Sequence, residues 1–112
     1  MLYTVETLEK KLQELELLLS NITQNTNKDP YTLSNDIGEL TNLHSSSVNL
    51  MTAAENHYHL NIKDKQERGA KCRALKLMSE RLNNSIGKAI ESYRSMLSFE
   101  KLDYEKQTRW EN

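Results

Sequence analysis

The stretch that decides the fold is RGAKCRALKLMSERLNNSIGKAIESYRSMLSFEKLDYEKQTR, residues 68–109. It contains no proline, and its apolar side chains return at intervals of three and four residues, which places them on one side of a helix. The residues of this apolar stripe are Leu75, Met78, Leu82, Ile86, Ala89, Tyr93 and Met96. We therefore expect one long helix, and we expect the rest of the chain to pack on its stripe.

The composition favours a single all-α domain that shares surfaces with further copies of itself. The chain has 112 residues, of which 37% are hydrophobic and 28% are charged. This apolar share is low for a monomer that must enclose its own core, whereas it is usual for long helices that pack along shared seams. We therefore expect one domain over residues 1–112 and a homo-oligomer.

The first predicted helix, over residues 4–23, has a heptad pattern. Its apolar residues alternate spacings of three and four, which is typical of a coiled coil. They are Val5, Leu8, Leu12, Leu15, Leu19 and Ile22. Three heptads are only marginally stable in water, so this helix must pack on another element. The sequence leaves open whether that element belongs to the same chain or to a neighbouring subunit.

A polar segment over residues 24–29 predicts a loop, and a second helix follows it. Asp29 is a suitable N-cap, and Pro30 suits the first helical position. Apolar and small residues then continue at spacings of four and three as far as residue 60. The large members of this seam are Leu33, Ile37, Leu40, Met51 and Tyr58. Serines at 45–47 predict a close approach to a neighbouring backbone or a local bend, rather than a catalytic site.

The apolar pattern is interrupted at residues 61–64, where we expect a tight turn. Asp64 followed by Glu67 resembles a capping box, so the long helix is predicted over residues 64–107, with a short tail after it. Gly69 weakens the first turns by about 1 kcal/mol relative to alanine, and it could move the turn a few residues later. The second and third helices would then form a long antiparallel hairpin within a coiled-coil-like bundle. A continuous helix through Asn61 is the alternative.

The charges are unevenly distributed along the chain. Residues 1–40 contain seven acids and three bases, whereas residues 63–76 contain six bases and two acids. The two regions could meet within one chain or between subunits. A row of cations near one side of the long helix could follow a phosphate backbone, which makes it a candidate nucleic-acid site. This row is Lys65, Arg68, Lys71 and Lys76. A solvated face, or a partner for the acidic first helix, is the alternative interpretation.

A second candidate site for nucleic acid lies at the C-terminus, where Arg109 stands next to Trp110. A cation beside an indole suits a stacked base or a protein contact, and packing of the tryptophan on the bundle is the alternative. His57 and His59 point about 200° apart on a helix and cannot chelate one metal. No phosphate-binding loop or dinucleotide motif occurs. We therefore expect no enzymatic activity, no cofactor and no metal.

The N-terminus has no basic and apolar signal region, and no apolar run reaches the length of a membrane span. We therefore expect a cytoplasmic protein without membrane contact. Cys72 is the only cysteine, so no disulfide can form within the chain.

Residues 89–101, AIESYRSMLSFEK, together with residues 29–34, DPYTLS, resemble small all-helical proteins of tailed phages. Those proteins are commonly encoded near single-strand annealing or recombination genes. The overall order is also similar to that of the recombination mediator of T-even phages. The resemblance covers about residues 29–105 and carries over no individual functional residue. It implies an oligomeric accessory protein that binds single-stranded DNA or a recombinase.

Two functions are therefore expected. The first is a phage recombination or replication accessory factor that binds single-stranded DNA through the cations named above. The second is a helical protein-interaction module, such as an inhibitor of a host defence complex. It would use the acidic, leucine-rich first helix and a surface near Tyr31 and Tyr58.

Overall fold

The computed structural model describes residues 3–24 and 29–111, and it describes side chains over residues 3–24 and 29–99. Within these residues the chain forms three helices, which are α1 (Val5–Gln24), α2 (Pro30–Leu60) and α3 (Glu67–Glu111). The described residues contain no strand. The predicted all-α fold is therefore confirmed. Part of the predicted loop, residues 25–28, lies outside the described residues.

The three helices run up, down and up in one elongated bundle. Ser47 contacts Asn83, and Tyr58 lies against Lys76, so α2 and α3 are antiparallel, as the predicted hairpin requires. Glu9 pairs with Lys71 near the start of α1, which makes α1 parallel to α3. The bundle measures 69 × 22 × 18 Å. Helix α1 therefore packs on the hairpin of its own chain, which settles the choice that the sequence left open.

Helix α1 packs through its heptad seam. The Thr4 hydroxyl caps the helix by accepting a hydrogen bond from the backbone N–H of Thr7 at 3.1 Å. The seam residues near the N-terminal end are fully buried, and they are Val5, Leu8, Leu12 and Leu15. Leu19 and Ile22 are only partly buried against the same core. The seam of α1 is therefore tightest at its N-terminal end and opens towards its C-terminal end.

The core of the hairpin combines predicted seam residues with others that the seam did not include. Leu33, Leu40, Leu75, Leu82, Ile86 and Tyr93 are buried, and Ile37, Met51, Tyr58, Met78 and Ala89 are half-buried. Ala54, a small residue of the predicted α2 seam, is also buried, and the additional buried apolar residues are Leu50, Cys72 and Ile90. Because α3 contacts both other helices, its buried stripe must be wider than a seam that faces one partner.

Met96 departs from the predicted seam, since 39% of its surface is exposed. The Tyr93 hydroxyl donates to the carbonyl of Ile22 at 3.4 Å, near the end of α1 at Gln24. Beyond this point Leu97, rather than Met96, packs partly buried against the core. The buried stripe of α3 therefore passes through Leu97 and leaves Met96 at its exposed edge.

The start of α3 also differs from the prediction, because the helix begins at Glu67 rather than at residue 64. The Asp64 carboxylate accepts the N–H of Gln66 at 2.7 Å and forms a turn instead of a helix cap. A methyl group on Gly69 would overlap the carbonyl oxygen of Asp64 and would lie 2.8 Å from its carbonyl carbon. Gly69 is thus required by the close approach of the turn. Its lower helix propensity is a minor effect here.

The middle of the hairpin contains buried polar side chains. Ser47 and Ser79 are completely buried, whereas Ser45 and Ser46 are exposed. The Ser47 hydroxyl lies 2.9 Å from the carbonyl of His44 and 2.7 Å from the amide oxygen of Asn83. The Ser79 hydroxyl donates to the carbonyl of Lys76 at 2.8 Å. Both serines therefore have hydrogen-bond partners, and neither α2 at Ser47 nor α3 at Ser79 is interrupted.

Candidate protein-binding surface

The basic start of α3 meets the acidic start of α1 within the same chain. Arg68 lies 3.9 Å from the carboxylate of Glu6, and Lys71 lies 3.3 Å from that of Glu9. These pairs are partly exposed, so each contributes little to stability. They nevertheless direct two of the predicted phosphate-binding cations towards carboxylates. The alternative interpretation of the sequence, a partner for the first helix, is the arrangement that the structure contains.

The other cations of the predicted nucleic-acid site do not continue the row that begins with Arg68 and Lys71. The Lys76 ammonium donates to Glu80 at 2.7 Å and lies 5.3 Å from the centre of the Tyr58 ring. The hydrogen bond to Glu80 raises the pKa of Lys76. Lys65 is exposed in the turn before α3. The side chains of Arg109 and Trp110 lie outside those that the structure describes.

The end of the bundle that holds the turn over residues 61–66, which we name the turn end, is held together by polar contacts. His57 Nε2 forms a hydrogen bond with the carbonyl of Tyr3, which joins α2 to the start of α1. The Arg73 guanidinium donates to the carbonyl of Asp64 at 3.3 Å. Polar contacts therefore connect α2 to the start of α1, and α3 to the turn, at this end.

The opposite end, which we name the open end, exposes large apolar side chains. It contains the end of α1, the start of α2 and the part of α3 that follows Tyr93. The apolar residues exposed there are Leu17 at 62%, Leu18 at 50%, Tyr31 at 79%, Met96 at 39% and Phe99 at 70%. Isolated exposed apolar residues are common, but a concentration of them typically marks a surface that binds another molecule.

A groove between α1 and α2 forms the most structured part of the open end. It is a depression of about 490 Å³, which we name the open-end groove. Its lining residues are Leu18, Asn21, Ile22, Asp36, Glu39, Asn42 and Leu43. A second depression of about 260 Å³ shares Leu18 and Leu43 and continues the groove towards the middle of the bundle. Two adjoining helices with an apolar floor between them can accept a third helix.

The charge on this groove is acidic. Among the described residues that line the open-end groove, the charged ones are the carboxylates of Asp36 and Glu39. Asp36 already has an interaction partner, so the acidic character of the rim is assigned to Glu39. Its continuation contains Lys11 and Glu14, which form an ion pair at 3.8 Å and so neutralise each other. The acidic character of the N-terminal region was visible in the sequence. The groove itself depends on the position of α1 beside α2, which the apolar spacing within one helix does not specify.

A basic surface occupies the side of α3 that faces away from the core, and we name it the outer face of α3. Leu77 is 52% exposed there, because it is two residues after the buried Leu75 and thus about 200° around the helix. Arg81 and Lys88 follow after about one and three helical turns and are exposed on the same side. Glu91, three residues after Lys88, is exposed on this side as well, so two cations and one carboxylate follow Leu77 on this face. The predicted phosphate-binding row did not include these two cations, although their spacing from Leu77 could have identified them.

The described residues contain no cluster of histidine, cysteine and carboxylate groups that could hold a metal. Over the same residues, none of the helices contains an apolar stretch that could cross a bilayer. Comparisons of the chain with known protein families, with curated proteins and with solved structures find no match. The function of this chain must therefore be inferred from the geometry and charge of its surfaces.

Proposed function

We propose that this chain is a non-enzymatic helical protein that binds a basic amphipathic helix of another protein in the open-end groove. The observation that carries the proposal is an exposed leucine-lined groove with an acidic rim. Leu18 is half-exposed, and Glu39 lines the same depression. An amphipathic helix would place its apolar side chains on Leu18 and Leu43, and its cations would lie beside Glu39.

The energetic basis of this binding is burial of apolar surface together with charge complementarity. Burial of the exposed part of Leu18 removes apolar area from water, which favours association by roughly 25 cal/mol per Å². The acidic rim attracts a basic partner and repels an acidic one, so charge supplies specificity and increases the association rate. The affinity should therefore fall as salt screens the rim.

Two synthetic peptides test the proposal directly. The first is a helix with leucines at helical spacing and lysines on both flanks, and the second carries glutamates in place of the lysines. The basic peptide should bind the full chain with micromolar affinity in isothermal titration. The acidic peptide should bind at least about tenfold more weakly, because like charges oppose each other at the rim. Equal affinity for both peptides, or no binding of either, contradicts the proposal.

Matched variants locate the binding to the groove. The substitution Glu39→Lys should weaken the basic peptide about tenfold, because it reverses a rim charge. Glu16→Lys makes the same change on the exposed part of α1 outside the groove, so it should leave the affinity unchanged. Circular dichroism of both variants checks that the fold is retained. An equal loss of affinity in both variants would indicate a general charge effect.

Binding of single-stranded DNA stays a prediction from the resemblance described above. The structure supports it less well than peptide binding, because Arg68, Lys71 and Lys76 each lie next to a carboxylate. Fluorescence anisotropy with a labelled oligonucleotide at about 50 mM salt tests it, since phosphate contacts are strongest at low salt. DNA binding that exceeds binding of the basic peptide would favour the recombination factor over the protein-interaction module.

A further inference from the structure

We infer that the chain assembles head to tail with itself, with the outer face of α3 of one copy occupying the open-end groove of the next. This inference rests on the proposed function, because it uses the same groove. It names a second copy of the chain as the basic helix that the groove receives. The homo-oligomer expected from the low share of apolar residues then has a defined interface.

Charge complementarity is the first observation that carries the inference. The outer face of α3 presents Arg81 and Lys88 beside the exposed Leu77. The open-end groove presents Glu39 beside the exposed Leu18. Each surface thus offers an exposed leucine, and the charge beside it is opposite in sign to that on the other surface. Two grooves facing each other would instead oppose carboxylates, so a symmetric contact between grooves is disfavoured.

The lengths of the two surfaces also match. Leu77 and Lys88 are eleven residues apart, which corresponds to about 16 Å along a helix. The groove and its continuation run beside α2 from Asp36 to Leu50, a span of about 21 Å. The outer face therefore fits within the combined length of the groove and its continuation. Glu39 lines the open-end groove together with Leu18 and Leu43, which the continuation shares.

The positions of the surfaces allow each copy to use both at once. The apolar stripe of α3 faces α1 and α2, so Leu77 on the opposite side of α3 points away from the groove between those two helices. One copy can therefore donate its outer face to one neighbour while its groove accepts another. Such a heterologous contact produces a ring when the rotation closes and an open filament when it does not.

Mass measurement by light scattering over a concentration series tests the inference. The wild-type chain should form multimers whose mass rises with concentration up to about 0.5 mM, as expected for a micromolar contact. Glu39→Lys damages the groove only, and Lys88→Glu damages the outer face only. Each variant alone should associate at least about tenfold more weakly than the wild type. Lys10→Glu, an equal charge reversal elsewhere on the surface, should assemble as the wild type does.

Mixing the Glu39→Lys and Lys88→Glu variants is the decisive experiment. The intact groove of the Lys88→Glu chain should bind the intact outer face of the Glu39→Lys chain, so an equimolar mixture should regain heterodimers. A wild type that stays monomeric, or a mixture that fails to associate, overturns the inference. Titration of the Lys88→Glu variant with the basic peptide separates the two proposals. If that variant binds the peptide while the wild type stays monomeric, the head-to-tail contact is wrong and the proposed function stands.

Discussion

The two ends of the bundle differ in what their surface residues contact. At the turn end, polar groups contact one another across elements, as in the hydrogen bond of His57 to Tyr3 and the ion pair of Glu9 with Lys71. At the open end, apolar side chains such as Leu18 and Phe99 face solvent. The turn end also exposes Leu60 at 82% and Ile62 at 53%. The ends therefore differ in the polar contacts between elements, which concentrate at the turn end, and both ends expose apolar side chains.

Helix α1 contains both buried leucines that stabilise the fold and exposed leucines that are available for binding. The N-terminal leucines of α1 are completely buried, whereas Leu17 and Leu18 near its C-terminal end are at least half-exposed. Burial of an aliphatic side chain stabilises a fold by roughly 1.5–3 kcal/mol, but an exposed one contributes little. A leucine that does not stabilise the fold is available to stabilise a complex.

The largest expected effect comes from truncating leucines at the two parts of α1. Leu12→Ala should lower the free energy of unfolding by about 3 kcal/mol, because Leu12 is fully buried and its removal leaves a cavity. Leu18→Ala should lower it by less than about 0.5 kcal/mol and should weaken peptide binding instead. Urea denaturation and peptide titration of both variants measure the two effects. Equal destabilisation by the two substitutions would contradict the division between the ends.

The next largest effect concerns two glycines that both lie within helices. Gly69→Ala should lower the free energy of unfolding by about 2 kcal/mol, because the added methyl group would collide with the backbone of Asp64. Gly38→Ala has open space around it and should raise the stability by up to about 1 kcal/mol through helix propensity. Thermal unfolding of both variants should therefore show shifts of opposite sign. A stabilising Gly69→Ala would mean that the backbone of Asp64 leaves room for the added methyl group.

A smaller effect is expected from the ion pairs of the turn end. The pair of Glu9 with Lys71 is more than one-third exposed on both sides, so solvent screens it strongly. A double-mutant cycle with Glu9→Gln and Lys71→Gln should give a coupling of at most about 0.5 kcal/mol, and 1 M salt should abolish it. A coupling of several times that size would mean that these charges hold α1 in place. The structure indicates instead that the buried leucines of the seam hold α1 in place.

The smallest effect is a pH dependence at the open end, where Asp29 caps α2. The backbone N–H of Thr32 donates to the Asp29 carboxylate at 2.7 Å, and this hydrogen bond lowers the pKa of Asp29. The charged form is therefore favoured in the folded state, so its stabilising contribution is complete above pH 3.8 and is lost as the pH falls through the lowered pKa. Urea midpoints of the wild type and Asp29→Asn should differ slightly at neutral pH. They should converge in acid, because asparagine caps a helix without a titrating charge.

Local signals in the sequence were sufficient for some elements and insufficient for others. Helix α2 begins at Pro30 behind the Asp29 cap, as the local chemistry indicated. The start of α3 was misplaced, because Gly69 is selected by a contact with Asp64 that no helix propensity describes. The basic residues of the candidate site were visible in the sequence. Their pairing with Glu6 and Glu9 required the placement of α1.

The sequence by itself determined the helical class, the heptad seam of α1 and the start of α2, because apolar spacing and caps act between residues close in the chain. It favoured the hairpin but left a continuous helix through Asn61 as the alternative. The tertiary structure decided that α1 packs on its own hairpin with its N-terminal end beside the turn. This placement pairs the acidic start of α1 with the basic start of α3, and it forms the open-end groove beside α2. Contacts between residues distant in the chain depend on all three helices together, so spacing along one helix cannot specify them.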